Sequence, residues 1–249
     1  MYLLLFIFGI VAGSFLNVCI FRIPKGKSII YPGSRCTHCN AELHTGDLIP
    51  ILSYLLLGGK CKYCKSKISG LYPLVEFLSG INFVFLFFLF GFSTSFIFYL
   101  IMFSLFIVIF FIDLKEYVIP DSLVIFGVIV SLLFNALKGQ IVQSISGALA
   151  GIIIMYAILL FGRLIFKKEA LGFGDVTLSA MLGAMLGVKF LIIGLFSAYI
   201  IAAVVSSLLM ILKLRGINDM IPFGPFLVAG AAIGALWGEQ IFNWYLTVV

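Results

Sequence analysis

The sequence predicts an all-α polytopic membrane protein of about eight transmembrane helices, with a small polar insert between the first and second. Three observations carry this reading. Hydrophobic residues make up 63% of the 249 residues and charged residues only 10%, with a mean hydropathy of +1.25. A soluble domain carries about 25% charged residues, so this chain has too little polar side chain to cover a globular surface. The charges also cluster, leaving long apolar runs between them. Finally, the basic residues sort strongly to one side once the loops alternate across a bilayer. The same composition excludes disorder, and no triplet or heptad runs through the chain to make a rod.

A spanning helix needs about 20 apolar residues. The first uncharged run, 2–21, has 20. It has neither a basic leader nor a small-residue cleavage site, so it reads as a retained helix rather than a signal peptide. The next run, 77–112, has 36 residues, which is two helices joined by the turn Gly91-Phe92-Ser93-Thr94-Ser95. Runs of 16, 24, 13, 23 and 19 residues follow at 122–137, 139–162, 176–188, 190–212 and 220–238. The 13-residue run reaches spanning length only if it begins near Leu171. That places Gly172, Gly174 and Asp175 inside or at the edge of the membrane.

With eight spans, one side receives Arg22, Lys25, Lys27, Arg35, Lys60, Lys62, Lys65, Lys67, Lys115, Arg163, Lys167, Lys168, Lys213 and Arg215. The other receives Lys138 and Lys189, a split of 14 to 2. Basic residues accumulate on the cytoplasmic side. Both termini then face outward, and losing any internal span would scramble the split. The expected organisation is a first helix at 1–22, a cytoplasmic tetracysteine domain at 23–70 and a seven-helix bundle at 71–249. The net charge of +6 follows from topology and attraction to anionic headgroups, and requires no nucleic acid. Pairs Gly147/Gly151 and Gly183/Gly187 and the triplet Gly230/Gly234/Gly238 allow close helix approach in lipid. The 27 phenylalanines, concentrated at 77–111, read as lipid-facing and packing surface.

Four of the five cysteines lie in the insert, as Cys36-Thr37-His38-Cys39 and Cys61-Lys62-Tyr63-Cys64. Two such knuckles form a zinc-ribbon-like pattern: each pair of thiolates grips one metal from a tight turn, and two pairs complete a tetrahedron. Gly33 and Gly58-Gly59 fit turns leading into the knuckles. The competing reading is two disulfides, which rarely persist in the reducing cytosol where the charge bias places this segment. His38 is a possible alternative ligand but reads as a loop residue, and mid-helix Cys19 as apolar packing. About 48 residues bury little core, so a structural metal would supply stability. The apolar stretch 47–55 either lies on the membrane or packs against the bundle.

Of ten carboxylates, Glu76, Asp113, Glu116, Asp121, Glu169, Asp175 and Asp219 are expected at cytoplasmic helix ends or loops. Asp121 after Pro120 suits a helix N-terminus. Asp113 closes the 36-residue run and Asp175 opens another, on one side of the membrane. Two carboxyls brought together cannot both ionise easily, so one acts as base toward water while the other protonates a scissile amide. The alternative is two unrelated helix-end carboxylates.

Gly172-Phe173-Gly174-Asp175 resembles the GxGD motif of membrane aspartyl proteases. The chain as a whole resembles the type IV prepilin peptidases, bifunctional leader peptidases and N-methyltransferases. Five further stretches carry the likeness in order: Gly13-Ser14-Phe15-Leu16-Asn17-Val18 with Arg22-Ile23-Pro24, the four cysteines with Asp47-Leu48-Ile49-Pro50, Tyr72-Pro73-Leu74-Val75-Glu76, the run 113–121, and Pro222-Phe223-Gly224-Pro225-Phe226. The resemblance implies type IV prepilins and pseudopilins as substrates, cleaved at the cytoplasmic membrane face of a bacterium after a glycine. It also implies S-adenosylmethionine as methyl donor to the new N-terminal amine. Asp113 and Asp175 carry over as the catalytic pair, Cys36, Cys39, Cys61 and Cys64 as structural zinc ligands, and Gly172, Gly174 and Asp121 as motif support. Thr177 departs from the lysine that many members have there. No Gly-rich strand–helix fingerprint for S-adenosylmethionine is visible.

Two other classes stand beside this reading. A non-catalytic scaffold of pilus assembly needs neither Asp113 nor Asp175. An ion-coupled transporter would place its carboxylates mid-membrane and show an inverted repeat, and neither feature is evident. A peptidase without the methyl step is an intermediate case.

Overall fold

A computed structural model describes residues 1–166, 172–216 and 219–248. Lys167, Lys168, Glu169 and Leu171, counted in the charge and span arguments, lie outside the described residues. The described chain is almost entirely helical: α1 (Tyr2–Arg22), α2 (Leu52–Leu56), α3 (Leu71–Phe90), α4 (Thr94–Glu116), α5 (Asp121–Leu137), α6 (Ile141–Phe166), α7 (Phe173–Ile211) and α8 (Gly224–Val248). Its contacts divide it into two compact units, Met1–Val108 and Ile109–Val249.

In the first unit α1 and α3 run antiparallel and approach closely at their glycines. A Cβ on Gly9 would stand 2.7 Å from the Gly80 Cα, and one on Gly13 would stand 2.6 Å from the Glu76 Cα. Small residues are what allow two helices this approach in lipid, where packing rather than hydrophobicity drives association. The Asn17 amide donates to the Tyr72 carbonyl at 3.0 Å, and Phe21 stacks on Tyr72 at 4.7 Å. Gly91 ends α3 at φ 57, and the Ser93 hydroxyl accepts the Phe96 N–H at 3.1 Å, so the expected turn at 91–95 is present. Around it Phe87 meets Phe92 and Phe96 edge-on, and Phe90 stacks on Tyr99.

In the second unit α7 decides the architecture. Thirty-nine residues in one straight helix would reach about 58 Å, roughly twice the hydrocarbon thickness. Instead Gly187 adopts φ 70 and ψ 171, a conformation open to glycine, and the chain reverses there. The limb 173–186 packs on α6, with Gly183 against Gly147 and Ser179 against Gly151. The limb 188–211 packs on α8, with Gly194 against Gly230 and Phe190 against Gly234 and Gly238. The Tyr199 hydroxyl reaches the Met155 sulfur on α6 at 3.5 Å, which brings residue 199 back to the level of residue 175. Among the described residues six helices are long and apolar enough to cross a membrane, and α5 is a shorter apolar helix of 17 residues. With α7 counted as two limbs, the apolar segments number eight, in the expected order. The first limb, at 14 residues, covers about 21 Å and is the shortest, as its 13-residue uncharged run foreshadowed.

The break at Gly187 frees the Ala184 carbonyl from its helical partner. Two buried side chains satisfy it: Ser144 donates at 2.6 Å and Asn135 at 3.1 Å, the latter also donating to the Ser131 carbonyl at 3.0 Å. This ties α5, α6 and α7 together near the Gly187 reversal. Replacing Asn135 with Ala should destabilise the unit by about 1–2 kcal/mol, the upper range for polar contacts between membrane helices. Thermal unfolding in a fixed detergent, compared with the unaltered chain, measures it.

One expectation is corrected. Glu76 is not at a helix end: it is the sixth residue of α3 and is buried, because the Ser14 hydroxyl and the Ile51 N–H satisfy it. The last helix continues through Glu239 to Val248, and Glu239 pairs with Lys189 of α7 at 3.3 Å.

Candidate functional site

Three separate stretches converge in the second unit. Asp113 sits in the last turn of α4, before the chain turns at Tyr117 (φ 57) into Val118, Ile119 and Pro120. Gly172-Phe173-Gly174-Asp175 opens α7, with Gly172 as its N-cap. Phe223-Gly224 opens α8. Ile119 is the common wedge: a Cβ on Gly174 would stand 3.2 Å from the Ile119 Cβ, and one on Gly224 would stand 3.3 Å from its Cδ1.

Each aspartate is held in the same way. The Gly224 N–H donates to Asp113 Oδ2 at 2.9 Å, and the Gly172 N–H donates to Asp175 Oδ2 at 3.1 Å. Both donors are orphan amides at helix starts, which favour a carboxylate. The other oxygen of each carboxyl accepts no hydrogen bond from the described residues. The two are 5% and 7% exposed, and the charge of Asp113 acts on Asp175. No Lys, Arg or His pairs with either among the described residues. A buried carboxyl pair without a cation, each member with one oxygen fixed and one free, suits proton transfer to and from water and an amide.

The remaining motif residues fall into place around it. Gly224 has no room for a side chain, since its Cβ would stand 2.6 Å from Asp113 Oδ2. Thr177 turns its hydroxyl back onto the Gly174 carbonyl at 3.0 Å. Tyr199 lies within electrostatic reach of Asp175, and its ring meets that of Phe223 at a tilt, with centroids 5.0 Å apart. Asp121 is the exposed first residue of α5, after Pro120 at the N-cap, and takes no part in the pair. Sequence reasoning missed the donor role of Gly224, the wedge Ile119 and the proximity of Tyr199. The glycine between Phe223 and Pro225, placed just before an apolar run, was the available signal for the first.

The four cysteines of the insert form the second cluster. All are free thiols, and their sulfurs lie within 4.8 Å of one another, with Cys36 and Cys64 at 3.9 Å. Tetrahedral zinc–thiolate bonds of about 2.3 Å require sulfurs about 3.8 Å apart, so the quartet fits that metal. The two knuckles repeat one backbone. Cys36 and Cys61 N–H groups donate to Ala41 and Ser66 carbonyls, and Asn40 and Lys65 N–H groups donate back. Asn40 and Lys65 share a left-handed φ of 55 and 58, and the bridges Arg35–Glu42 and Lys60–Lys67 close both bases. Gly58 and Gly59, at φ 60 and 67, make the turn before the second knuckle, whereas Gly33 has no positive φ and serves as an acceptor for Arg22 at 3.1 Å. His38 is not part of the cluster among the described residues. The backbone N–H of Cys39, then that of His38, hold the Cys36 thiol down to about 6. A thiolate is therefore ready for a cation at neutral pH.

Comparison with known proteins gives two family matches. Residues 7–90 match the bacterial peptidase A24 N-terminal domain, and residues 100–207 match the type IV leader peptidase family. The chain is 32% identical to the prepilin leader peptidase/N-methyltransferase of Aeromonas hydrophila, over 98% of this chain and 93% of that protein. It is 30% identical to the protein of that name from Pseudomonas aeruginosa, over 96% and 91%, and 32% identical to that of Legionella pneumophila, over 99% and 94%. No solved structure matches.

Proposed function

The chain belongs to the type IV leader peptidase family, and from that membership we propose that it cleaves the leader from type IV prepilins and pseudopilins and N-methylates the new terminus. Its relatives carry both activities in their names. Asp113 and Asp175 are the catalytic pair of this reading. The single observation that carries it is the matched geometry of the two: each buried carboxyl is pinned by one glycine N–H and leaves one oxygen free.

In the reaction, one carboxylate takes a proton from a water held between the pair, and the resulting hydroxide attacks the scissile carbonyl. The other carboxyl gives its proton to the departing amide nitrogen, so the amine leaves and the leader ends in a new carboxylate. Gly172 and Gly224 keep the carboxyls oriented through their N–H groups. The 14-to-2 distribution of basic residues supports placing the aspartates and residues 23–70 on the cytoplasmic side of a bacterial inner membrane.

S-adenosylmethionine is a second substrate in this scheme, supplying the methyl group to the amine that cleavage exposes. The described residues contain isolated bridges and no strand, so a strand–glycine–helix cradle of the Rossmann kind has no counterpart, and no residue is assigned to the donor. Zinc held by Cys36, Cys39, Cys61 and Cys64 would fix the insert and perform no chemistry.

The test is to reconstitute the protein in liposomes with a prepilin, with and without S-adenosylmethionine, and weigh the product. Loss of the leader in both, plus one methyl group only with the donor, is expected. Complete cleavage with an unmodified amine would remove the methyl step, and uncut substrate across a panel of prepilins would favour the scaffold.

A further inference from the structure

The insert carries an apolar face that nothing in the described protein covers. Leu52, Leu55 and Leu56 share one side of α2, Ile49 lies three residues before Leu52 in the chain, and Ile49, Leu52, Leu55 and Leu56 are 47, 57, 65 and 85% exposed. The opposite side is fastened down. The Tyr54 hydroxyl donates to the Ile68 carbonyl at 3.4 Å, and the Tyr54 ring lies 3.0 Å from where a Cβ on Gly59 would stand. The helix is therefore held in a fixed orientation with its aliphatic side turned away from the insert.

A second observation sets its depth. The Ile51 N–H donates to Glu76 Oε2 at 2.7 Å. Glu76 is the sixth residue of α3, which begins at Leu71, so its Cα lies about 7.5 Å along the helix from that end. Ile51 takes φ 62, an outlier for a β-branched residue, and the carboxylate of a membrane helix holds it there. The chain is thus drawn in toward the bilayer where α2 begins, rather than displaying α2 at the tip of the insert. A third observation is charge. Residues 23–70 hold seven basic residues (Lys25, Lys27, Arg35, Lys60, Lys62, Lys65, Lys67) against two acidic ones (Glu42, Asp47), seven minus two giving +5, and the insert stays net positive when four thiolates hold a dication.

We propose that Ile49, Leu52, Leu55 and Leu56 form an interfacial anchor seated in the headgroup layer of an anionic bilayer, with the basic residues of the insert on the lipid phosphates. Apolar burial at the acyl boundary and attraction to anionic headgroups act together in such anchors. The anchor holds the tetracysteine knuckles beside the membrane surface. It rests on α1 and α3 spanning the membrane and is independent of the enzymatic reading.

The experiment places a single fluorescent probe, Leu56→Trp, in a chain carrying Trp237→Phe and Trp244→Phe, reconstituted in phosphatidylglycerol-rich nanodiscs. Brominated acyl chains should remove most of the emission, while aqueous iodide leaves it unchanged. Quenching by iodide alone would overturn the anchor, and quenching by neither would mean that α2 packs on protein instead, which also overturns it. Quenching that weakens when phosphatidylcholine replaces phosphatidylglycerol supports the contribution of charge, and indifference to headgroup refutes it. Leu55→Trp repeats the measurement should the first variant misfold.

Discussion

Asp113→Asn and Asp175→Asn are each expected to reduce leader cleavage by about 10²- to 10⁴-fold or more, the range for losing a positioned acid or base. The amide is nearly isosteric, and its oxygen can still accept the Gly224 or Gly172 N–H that now binds Oδ2. The fold should therefore survive while proton transfer is lost. Rates of leader release in reconstituted membranes measure the effect, with unchanged thermal unfolding as the control. Gly224→Ala offers an independent arm. It removes no ionisable group, yet its methyl would stand 2.6 Å from Asp113 Oδ2, so it must displace that carboxyl. It should cut the rate by moving the acid–base pair apart. A variant of either aspartate that keeps its rate would refute its role.

Removing metal from the insert is the second large effect. The described residues 23–70 contain one five-residue helix, two short 3-10 turns and two isolated bridges, and most of their large apolar side chains are exposed. Such a segment has little core to hold it. Structural zinc in small domains contributes about 10–16 kcal/mol of apparent binding free energy near pH 7, which is enough to decide whether the knuckles exist. The account predicts one zinc per chain in the unaltered protein. Cys61→Ser or Cys64→Ser should abolish it, and the insert should become readily cut by added protease. Elemental analysis and limited proteolysis check both. A metal-free chain whose insert resists protease would contradict the structural role.

Much of this architecture is legible in the sequence because charge is scarce. Lys138 and Lys189 interrupt apolar runs at turns between helices, and Lys189 marks the reversal at Gly187 even though the local helix is nearly continuous. The knuckles are legible because metal chemistry constrains spacing. What the sequence hides is satisfaction at a distance. Glu76 looks like a helix-end carboxylate until Ser14 and Ile51 are seen to supply its hydrogen bonds. Asn135 and Ser144 look like unremarkable polar residues until the Ala184 carbonyl is freed by the break beyond it. In the site, the aspartates are visible from their position at the ends of apolar runs. The glycine amides that aim them are not, because a backbone donor leaves no mark beyond the absence of a side chain.

The most direct test of the carboxyl pair uses one membrane preparation and two substrates. Each single Asn variant is given an intact prepilin and, separately, a pilin already lacking its leader, both with S-adenosylmethionine, and the products are weighed. The account predicts that the intact prepilin stays uncut while the leaderless pilin gains one methyl group, since that step does not use Asp113 or Asp175. Release of the leader by either variant at the rate of the unaltered chain would contradict it.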